Sequence, residues 1–488
     1  MILYERLQEL AEIHPDSPAI ETRTGQITYL QLKELSDSCT QYFHSLGLVA
    51  GDRVAILAHS NPDWFVAVFA ASRCGVVLVP LDWHLSADEL IYVMEGSESK
   101  ILLHDQEFAG TADTIKQSFT DLKLVRFGES GFPPEVSEPG FTTNVSDEKA
   151  PFLIVYTSGT TGRPKGAVLS QKAIRCSAEM SQNMTDLTVN DRVLSVLPLF
   201  HVGGLNIQPL PALLYGATLV LHEQFNPDEA VEALAEEKIT LLNSVPTMLQ
   251  AMMESLQWMP ANYRWLRAIS IGSTDVPVSL IEQVHLCGIP LIQVYGSSET
   301  GPVAIYQRIE HAPQVGSIGK AGLWCEVRLC NEDGVEVAEG ESGEIQIKGD
   351  NILNHYWQDD KATADSIKDG WFCTGDIAHK DGEGYYWFDG RLTHLVISGG
   401  KHIFPVEIER LILDVAGVEE VAVVGRTDKS LGEVPVAVIA GTADSAAVLA
   451  SCESLAKFKR PEDVVTVDAL PRNALGKIQV HEVKTLIA

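Results

Sequence analysis

Eleven consecutive residues, YTSGTTGRPKG from Tyr156 to Gly166, hold the groups that an anion needs. The glycines, Gly159 and Gly162 among them, let successive backbone amides converge into a nest. The hydroxyls of Thr157, Ser158, Thr160 and Thr161 add donors, and Lys165 adds a positive charge at a set offset. Together they suit a polyphosphate. The stretch is not the standard G-x-x-x-x-G-K-[ST] phosphate loop, because Gly166 and Ala167 follow Lys165. Taken alone, it also fits a long structural turn.

Four further stretches carry residue types suited to the same chemistry. They are PLFHVGGL (198–205), YGSSETG (295–301), WFCTGDIA (371–378) with GRLTHLVISGGKHIFPVEIE (390–409), and PRNALGK (471–477). Each has a bland reading by itself: a solvated glutamate after a strand, a turn aspartate after Thr-Gly, a core histidine, a solvated lysine near the C-terminus. In this order and with these identities they resemble the adenylate-forming superfamily of acyl-CoA synthetases, peptide-synthetase adenylation domains and luciferases. The resemblance spans essentially the whole chain and is closest in style to compact aryl-CoA ligases and succinylbenzoate-CoA ligase.

That resemblance implies attack of a carboxylate on the α-phosphate of ATP, loss of pyrophosphate, and capture of the acyl-adenylate by a thiol. Two anions must meet, so donors and positive charge are needed where negative charge builds up. The resemblance assigns the loop residues Thr157, Ser158, Gly159, Thr160, Thr161, Gly162 and Lys165 to the β- and γ-phosphates. It assigns Glu299 to Mg²⁺, Tyr295 with Gly296 and Ser298 to the adenine side, and Asp376 to the ribose hydroxyls. Arg391 goes to the ribose and phosphate region, and Lys477 to both the attacking carboxylate and the α-phosphate. Gly272 and Ser273, in GSTDVP (272–277), stand in the place of a Gly-Gly-Ala-Pro loop beside adenine. His201 lies beside the implied acyl pocket, with a core role as the alternative. In the second half-reaction, rotation of the C-terminal domain presents Ser398, Gly399 and Gly400 to the pantetheine arm of coenzyme A. The hinge departs from the usual Gly-Arg-x-Asp or Gly-Arg-x-Lys, since Gly390-Arg391-Leu392-Thr393 puts a β-branched residue there. The basic run KFKRP (457–461) fits either the nucleotide phosphates of coenzyme A or a solvated turn.

The elements that must position these groups are legible as textures. From about residue 52, short apolar runs such as RVAILA, VVLVP and KILLH alternate with helical periods. The same theme returns in RVLSVL, ATLVLH, ITLLNSV, LRAISIG and PLIQVYG. This predicts parallel, doubly wound sheets covered on both faces. APFLIV reads as a strand before the glycine loop, and AVLSQKAIRCSAEMSQNM as a helix after it. Past Gly316, period-two alternation around Asn-Glu-Asp-Gly predicts antiparallel hairpins or a small barrel. A short α+β domain follows. The expected fold is α/β: a large N-terminal domain (1–390) of two doubly wound sheets plus a small β-barrel, and a mobile C-terminal domain (391–488).

Composition bounds the rest. A chain of 488 residues with 45% apolar and 21% charged residues is an ordinary globular one, large enough for two or three domains. Its formal charge of -30 would repel nucleic acid. The eight cysteines are scattered without a C-x-x-C pair, which predicts reduced thiols and no zinc site. The start has no signal-peptide pattern, TLIA is not a peroxisomal ending, and no apolar run is long enough to span a bilayer. A cytoplasmic protein is expected, as a monomer or a homodimer.

The function so implied is acid–coenzyme A ligation, with loading of a separate acyl carrier protein as the alternative. The segments expected to line the acyl pocket (201–214, 243–248, 270–274 and 295–305) contain neither lysine nor arginine. A second buried carboxylate would lack a partner, which predicts a small-molecule monocarboxylate with an apolar or aromatic body.

Overall fold

The computed structural model describes residues 1–128, 132–134, 147–157, 164–399, 401–472 and 477–487. The chain forms two compact units, Met1–Glu326 with Ile347–Phe372, and Val327–Gln346 with Cys373–Ala488.

The first unit holds two large sheets. In one, Val77–Pro80, Arg53–Leu57, Ile101–His104 and Lys123–Arg126 are neighbours and parallel, and Pro151–Thr157 joins Val77–Pro80 in the same sense. In the other, the parallel run is Leu291–Tyr295, Ala268–Gly272, Leu241–Ser244, Arg192–Ser195, Thr218–Leu221 and Pro18–Thr22. The strands are apolar on both faces, and each face finds a different core. Val54 and Ile56 join the large central core, while Ala55 and Leu57 join the outer one. The central core also takes Ile20, Val193 and Leu219 from the second sheet. The helix Asp63–Cys74 is buried at every residue from Trp64 to Ser72, as a sequence apolar all round requires.

One local expectation changes. The residues after the glycine loop do not begin as a helix: Lys165–Ser170 is a strand antiparallel to Pro151–Thr157. The helix starts at Gln171, where the Ser170 hydroxyl accepts from the Ala173 amide and caps it. AVLS is apolar and buried, so short that periodicity alone did not separate strand from helix. The consequence is functional, since the loop now joins two strands and Thr157 lies across from Lys165.

The second unit contains the hairpin in which residues 376–380 of the strand Trp371–Lys380 pair with Tyr386–Arg391. It also contains the sheet Lys401–Ile403, Val396–Ser398, Gly432–Gly441 and Val418–Asp428, with Asp463–Val467 parallel to Gly432–Gly441. The helix Pro405–Leu413 packs Ile408 and Ile412 against Val421, Val423 and Ile439. All eight cysteines are free thiols. Among the described residues no helix is long and apolar enough to cross a membrane.

Candidate active site

In the first unit, Thr157 ends its strand and Lys165 begins the next. The short strand His355–Tyr356 pairs with Lys165–Ser170, and the Trp357 amide donates to the Gly166 carbonyl at 2.7 Å. This places the Tyr356 ring 5.7 Å from Lys165 Nζ. The Tyr356 hydroxyl donates to Glu299 Oε1 at 3.0 Å, and Thr157 Oγ1 makes a longer 3.5 Å contact with the same atom. Burial pushes the Tyr356 phenol well above its usual range, and the Glu299 carboxylate adds to it, so the hydroxyl stays a donor. Thr157 and Glu299 thus meet beside Tyr356, and Lys165 lies over the same ring. Ser158, Gly159, Thr160, Thr161 and Gly162 lie outside the described residues.

Glu299 sits in the short turn Ser298–Thr300, held from a distant segment. Asn351 Nδ2 donates to the Thr300 and Val303 carbonyls at 2.9 and 3.0 Å, and the Leu353 amide donates to the Glu299 carbonyl at 2.7 Å. Asn351, Leu353 and Tyr356 were missed from the sequence: DNILNHYW carries no motif, and nothing local marks it as the brace of a turn some fifty residues earlier. Among the described residues no group of three or more His, Cys, Asp or Glu converges to hold a metal. A single acceptor-only carboxylate suits Mg²⁺, which takes most of its ligands from water and substrate phosphates.

Tyr295 and Gly296 follow directly at the end of the strand Leu291–Tyr295. Gly272 ends the neighbouring parallel strand, so the two C-terminal edges lie side by side. At both positions the backbone is too close for a side chain. A Cβ would lie 2.3 Å from the Val294 carbonyl oxygen at Gly272, and 1.7 Å from that of Pro302 at Gly296. Ser273 adopts a left-handed φ of +76°, a costly conformation for a non-glycine residue that surrounding structure must hold in place.

His201 caps the short helix Val202–Asn206, with its ring 4.3 Å from that of Phe200. Its Nε2 is buried and makes no hydrogen bond among the described residues. Burial pushes the imidazole down to about 4, against a weaker opposing pull from Asp82. It is neutral at pH 7 and offers no cation to a carboxylate. A stability prediction follows by linkage. Between pH 6.5 and 4 the unfolded histidine binds a proton that the folded one refuses, so stability falls as the solution is acidified through that window. In urea titrations at pH 6.5 and 4.5, His201→Asn should remove on the order of 2 kcal/mol of that loss. An unchanged pH slope would contradict a buried, neutral imidazole.

In the second unit, Asp376 and Arg391 are cross-strand partners in one hairpin. Arg391 Nε lies 2.7 Å from Asp376 Oδ1, and the carboxylate residue is only 4% exposed. Gly375 takes φ +71° ahead of it, and the Thr374 hydroxyl accepts from the Asp376 amide at 3.0 Å. His394 stands beside Arg391 and Lys477, and its imidazole is pushed down to about 4, by burial first and then by those cations. Asp376, Arg391 and Lys477 are thus brought into one unit, and the pairing of the first two could be read only from register.

Lys477 closes the PRNALGK loop, whose residues 473–476 lie outside the described set. Arg472 and Ile478 form an antiparallel bridge across it, and the Gln479 amide donates to the Pro471 carbonyl at 2.8 Å. Glu420 clamps the base, accepting from Arg472 Nε at 2.8 Å and from the Leu470 amide at 2.8 Å. Ser398 is buried at the end of Val396–Ser398, and Gly399 has φ +56° with its amide donating to Leu431; Gly400 lies outside the described residues. In the KFKRP run, Lys459 is paired with Glu407 at 2.6 Å, and Arg460 donates to the Leu455 and Glu453 carbonyls.

Known proteins resemble this chain along its whole length. The profile of the AMP-binding enzyme family matches residues 7–357, and that of the AMP-binding enzyme C-terminal domain matches residues 407–477. Indoleacetate–CoA ligase of Aromatoleum aromaticum is 40% identical, over 100% of this chain and 98% of the relative. Feruloyl-CoA synthase of Amycolatopsis sp. is 34% identical over 97% and 96%. The solved structure of o-succinylbenzoate coenzyme A synthetase (MenE) from Bacillus subtilis, in complex with ATP and magnesium ion, superposes with a TM-score of 0.89. It shares 30% identity over 98% of this chain and 99% of that one. The chain belongs to the AMP-binding enzyme family and is an AMP-forming acid–thiol ligase of the acyl-CoA synthetase type.

Proposed function

We propose that the chain activates an aromatic or apolar monocarboxylate with ATP and transfers the acyl group to coenzyme A in the cytoplasm, where both co-substrates are available. Thr157, Lys165 and the loop between them hold the β- and γ-phosphates. Glu299 holds Mg²⁺, with Tyr356 and Thr157 orienting its Oε1. The ion, when bound, would offset the negative charge of the phosphates. Tyr295, Gly296, Ser298, Gly272 and Ser273 form the adenine side, and Asp376 accepts from the ribose hydroxyls while Arg391 fixes its orientation. Lys477 offsets the charge shared by the attacking carboxylate and the α-phosphate. The thiol of coenzyme A then attacks the acyl carbonyl near Ser398–Gly400, and AMP leaves.

The same reading divides the chain into an acid- and nucleotide-binding domain (1–390) and a C-terminal domain (391–488). Gly390 supports a pivot there, since its φ of +142° suits glycine alone.

The observation that carries the substrate class is the absence of lysine and arginine from residues 201–214, 243–248, 270–274 and 295–305. The one histidine among them, His201, is neutral at pH 7. Indoleacetate and ferulate, named for two relatives, are aromatic monocarboxylates; the o-succinylbenzoate named for the Bacillus subtilis neighbour carries a second carboxylate. Nothing in these segments would pair that second charge. Pyrophosphate release measured across a panel of acids should favour an arylacetate over its ring-carboxylated analogue by about 100-fold in kcat/KM. A preference for the dicarboxylate would contradict the proposal. Running the same panel with coenzyme A and with a phosphopantetheinyl carrier protein separates the two acceptors.

A further inference from the structure

Three buried polar side chains link the segments assigned to the acyl pocket. Asn243 Nδ2 donates to the Gly203 carbonyl at 3.2 Å, Ser270 Oγ donates to Asn243 Oδ1 at 2.8 Å, and Gln208 Nε2 donates to Ser270 Oγ at 3.0 Å. Gln208 is 2% exposed, Ser270 0% and Asn243 5%. Asn243 and Ser270 are paired across two parallel strands, one and two residues short of their C-terminal ends, toward the usual ligand edge of an open α/β sheet. Their neighbours Leu242, Ile269 and Ile271 face the core on the other side of that sheet. The polar chain therefore lies on the face that meets the Val202–Asn206 helix.

The direction of this chain follows from its first link. A backbone carbonyl only accepts, so Asn243 must turn its amide nitrogen to Gly203 and its oxygen to Ser270. Ser270 must then give its only proton to Asn243 and accept from the next group. Gln208 must supply that donor through its nitrogen. Its own oxygen, Oε1, is left over: buried, and without a hydrogen bond among the described residues. An acceptor desolvated without a partner is costly, and such groups in native proteins usually await a ligand or a water.

We infer that Gln208 is a specificity-determining residue for the acid. Its Oε1 accepts a hydrogen bond from an N–H or O–H on the ring of the bound substrate, while Ser270 and Asn243 hold the amide in the accepting orientation. The preferred substrates are aryl acids that carry a ring donor, and the inference rests on the aryl-acid reading above. A site that hydrogen-bonds a substrate donor discriminates far more strongly against an analogue lacking it than an apolar pocket does against a missing methylene.

The test uses two shape-matched pairs of acids: indole-3-acetate against benzothiophene-3-acetate, and 4-hydroxyphenylacetate against 4-methylphenylacetate. In the wild-type enzyme, kcat/KM for pyrophosphate release should favour the donor-bearing member of at least one pair by about tenfold or more. In Gln208→Met the ratio for that pair should fall to within about twofold of one. Ser270→Ala, which frees the amide to turn, should lower the ratio too, and it carries the mutational arm if Gln208→Met does not fold. Wild-type ratios near one in both pairs, or a ratio that neither substitution moves, would overturn the role of Gln208. That outcome leaves acid activation itself intact. Release with aliphatic acids but with none of these four would instead remove the aryl-acid reading beneath it.

Discussion

Replacing Lys477 with alanine should stop acyl-adenylate formation and leave thioester formation from a supplied acyl-adenylate largely intact. The first half-reaction brings a carboxylate onto a phosphate, and an ammonium at that meeting point acts where charge builds up. Losing one such group costs about a thousandfold. In the second half-reaction a thiol attacks an acyl carbonyl that is already activated, so no carboxylate has to be brought onto the phosphate and the need is smaller. The lysine is held by architecture rather than by local preference: the Arg472–Ile478 bridge closes its loop, and Glu420 clamps the base through Arg472 and the Leu470 amide. Pyrophosphate exchange and thioester formation, measured separately on Lys477→Ala, decide the matter. Equal loss of both would refute this division of labour.

The second large effect belongs to Asp376. Asp376→Asn should lower kcat/KM for ATP by about 100-fold, mostly through KM, with the KM for the acid little changed. Asparagine keeps the shape but turns one acceptor into a donor, so it cannot receive both ribose hydroxyls. It also strips Arg391 Nε of the carboxylate that lies 2.7 Å away. Because the Arg391 side chain is 38% exposed, water takes up much of that lost pairing, and the cost in stability should be small. Initial rates at varied ATP, with a thermal melt as control, give the answer. An ATP KM equal to wild type would exclude Asp376 from the nucleotide site.

These two residues show how differently parts of the site could be read. Lys477 and Asp376 stand out in the sequence because their neighbours, PRNALG and WFCTG, form motifs. Their supports, Glu420 and Arg391, differ in kind. Arg391 also falls in a motif, but its pairing with Asp376 appears only once the hairpin aligns residues 376 and 391. Glu420, an ordinary strand glutamate fifty residues ahead of its partner Leu470, had no signal at all. Tyr356 was likewise invisible, although it holds Glu299 beside Thr157.

What the amino-acid order settled by itself is whatever depends on near neighbours. That includes the donor-rich composition of residues 156–166, the alternation of apolar strands with helices, the cation-free segments around His201, and the motifs that place the chain in its family. Tertiary structure alone decided that Ala167–Ser170 continues a strand rather than beginning a helix, which distant segment braces Glu299, and which way the Gly203–Asn243–Ser270–Gln208 chain runs. The physical reason is range. Propensity and periodicity act over a few residues, whereas strand order and register bring together groups from 27 to 142 positions apart, and the final direction of a hydrogen-bond chain is set by a carbonyl that cannot donate.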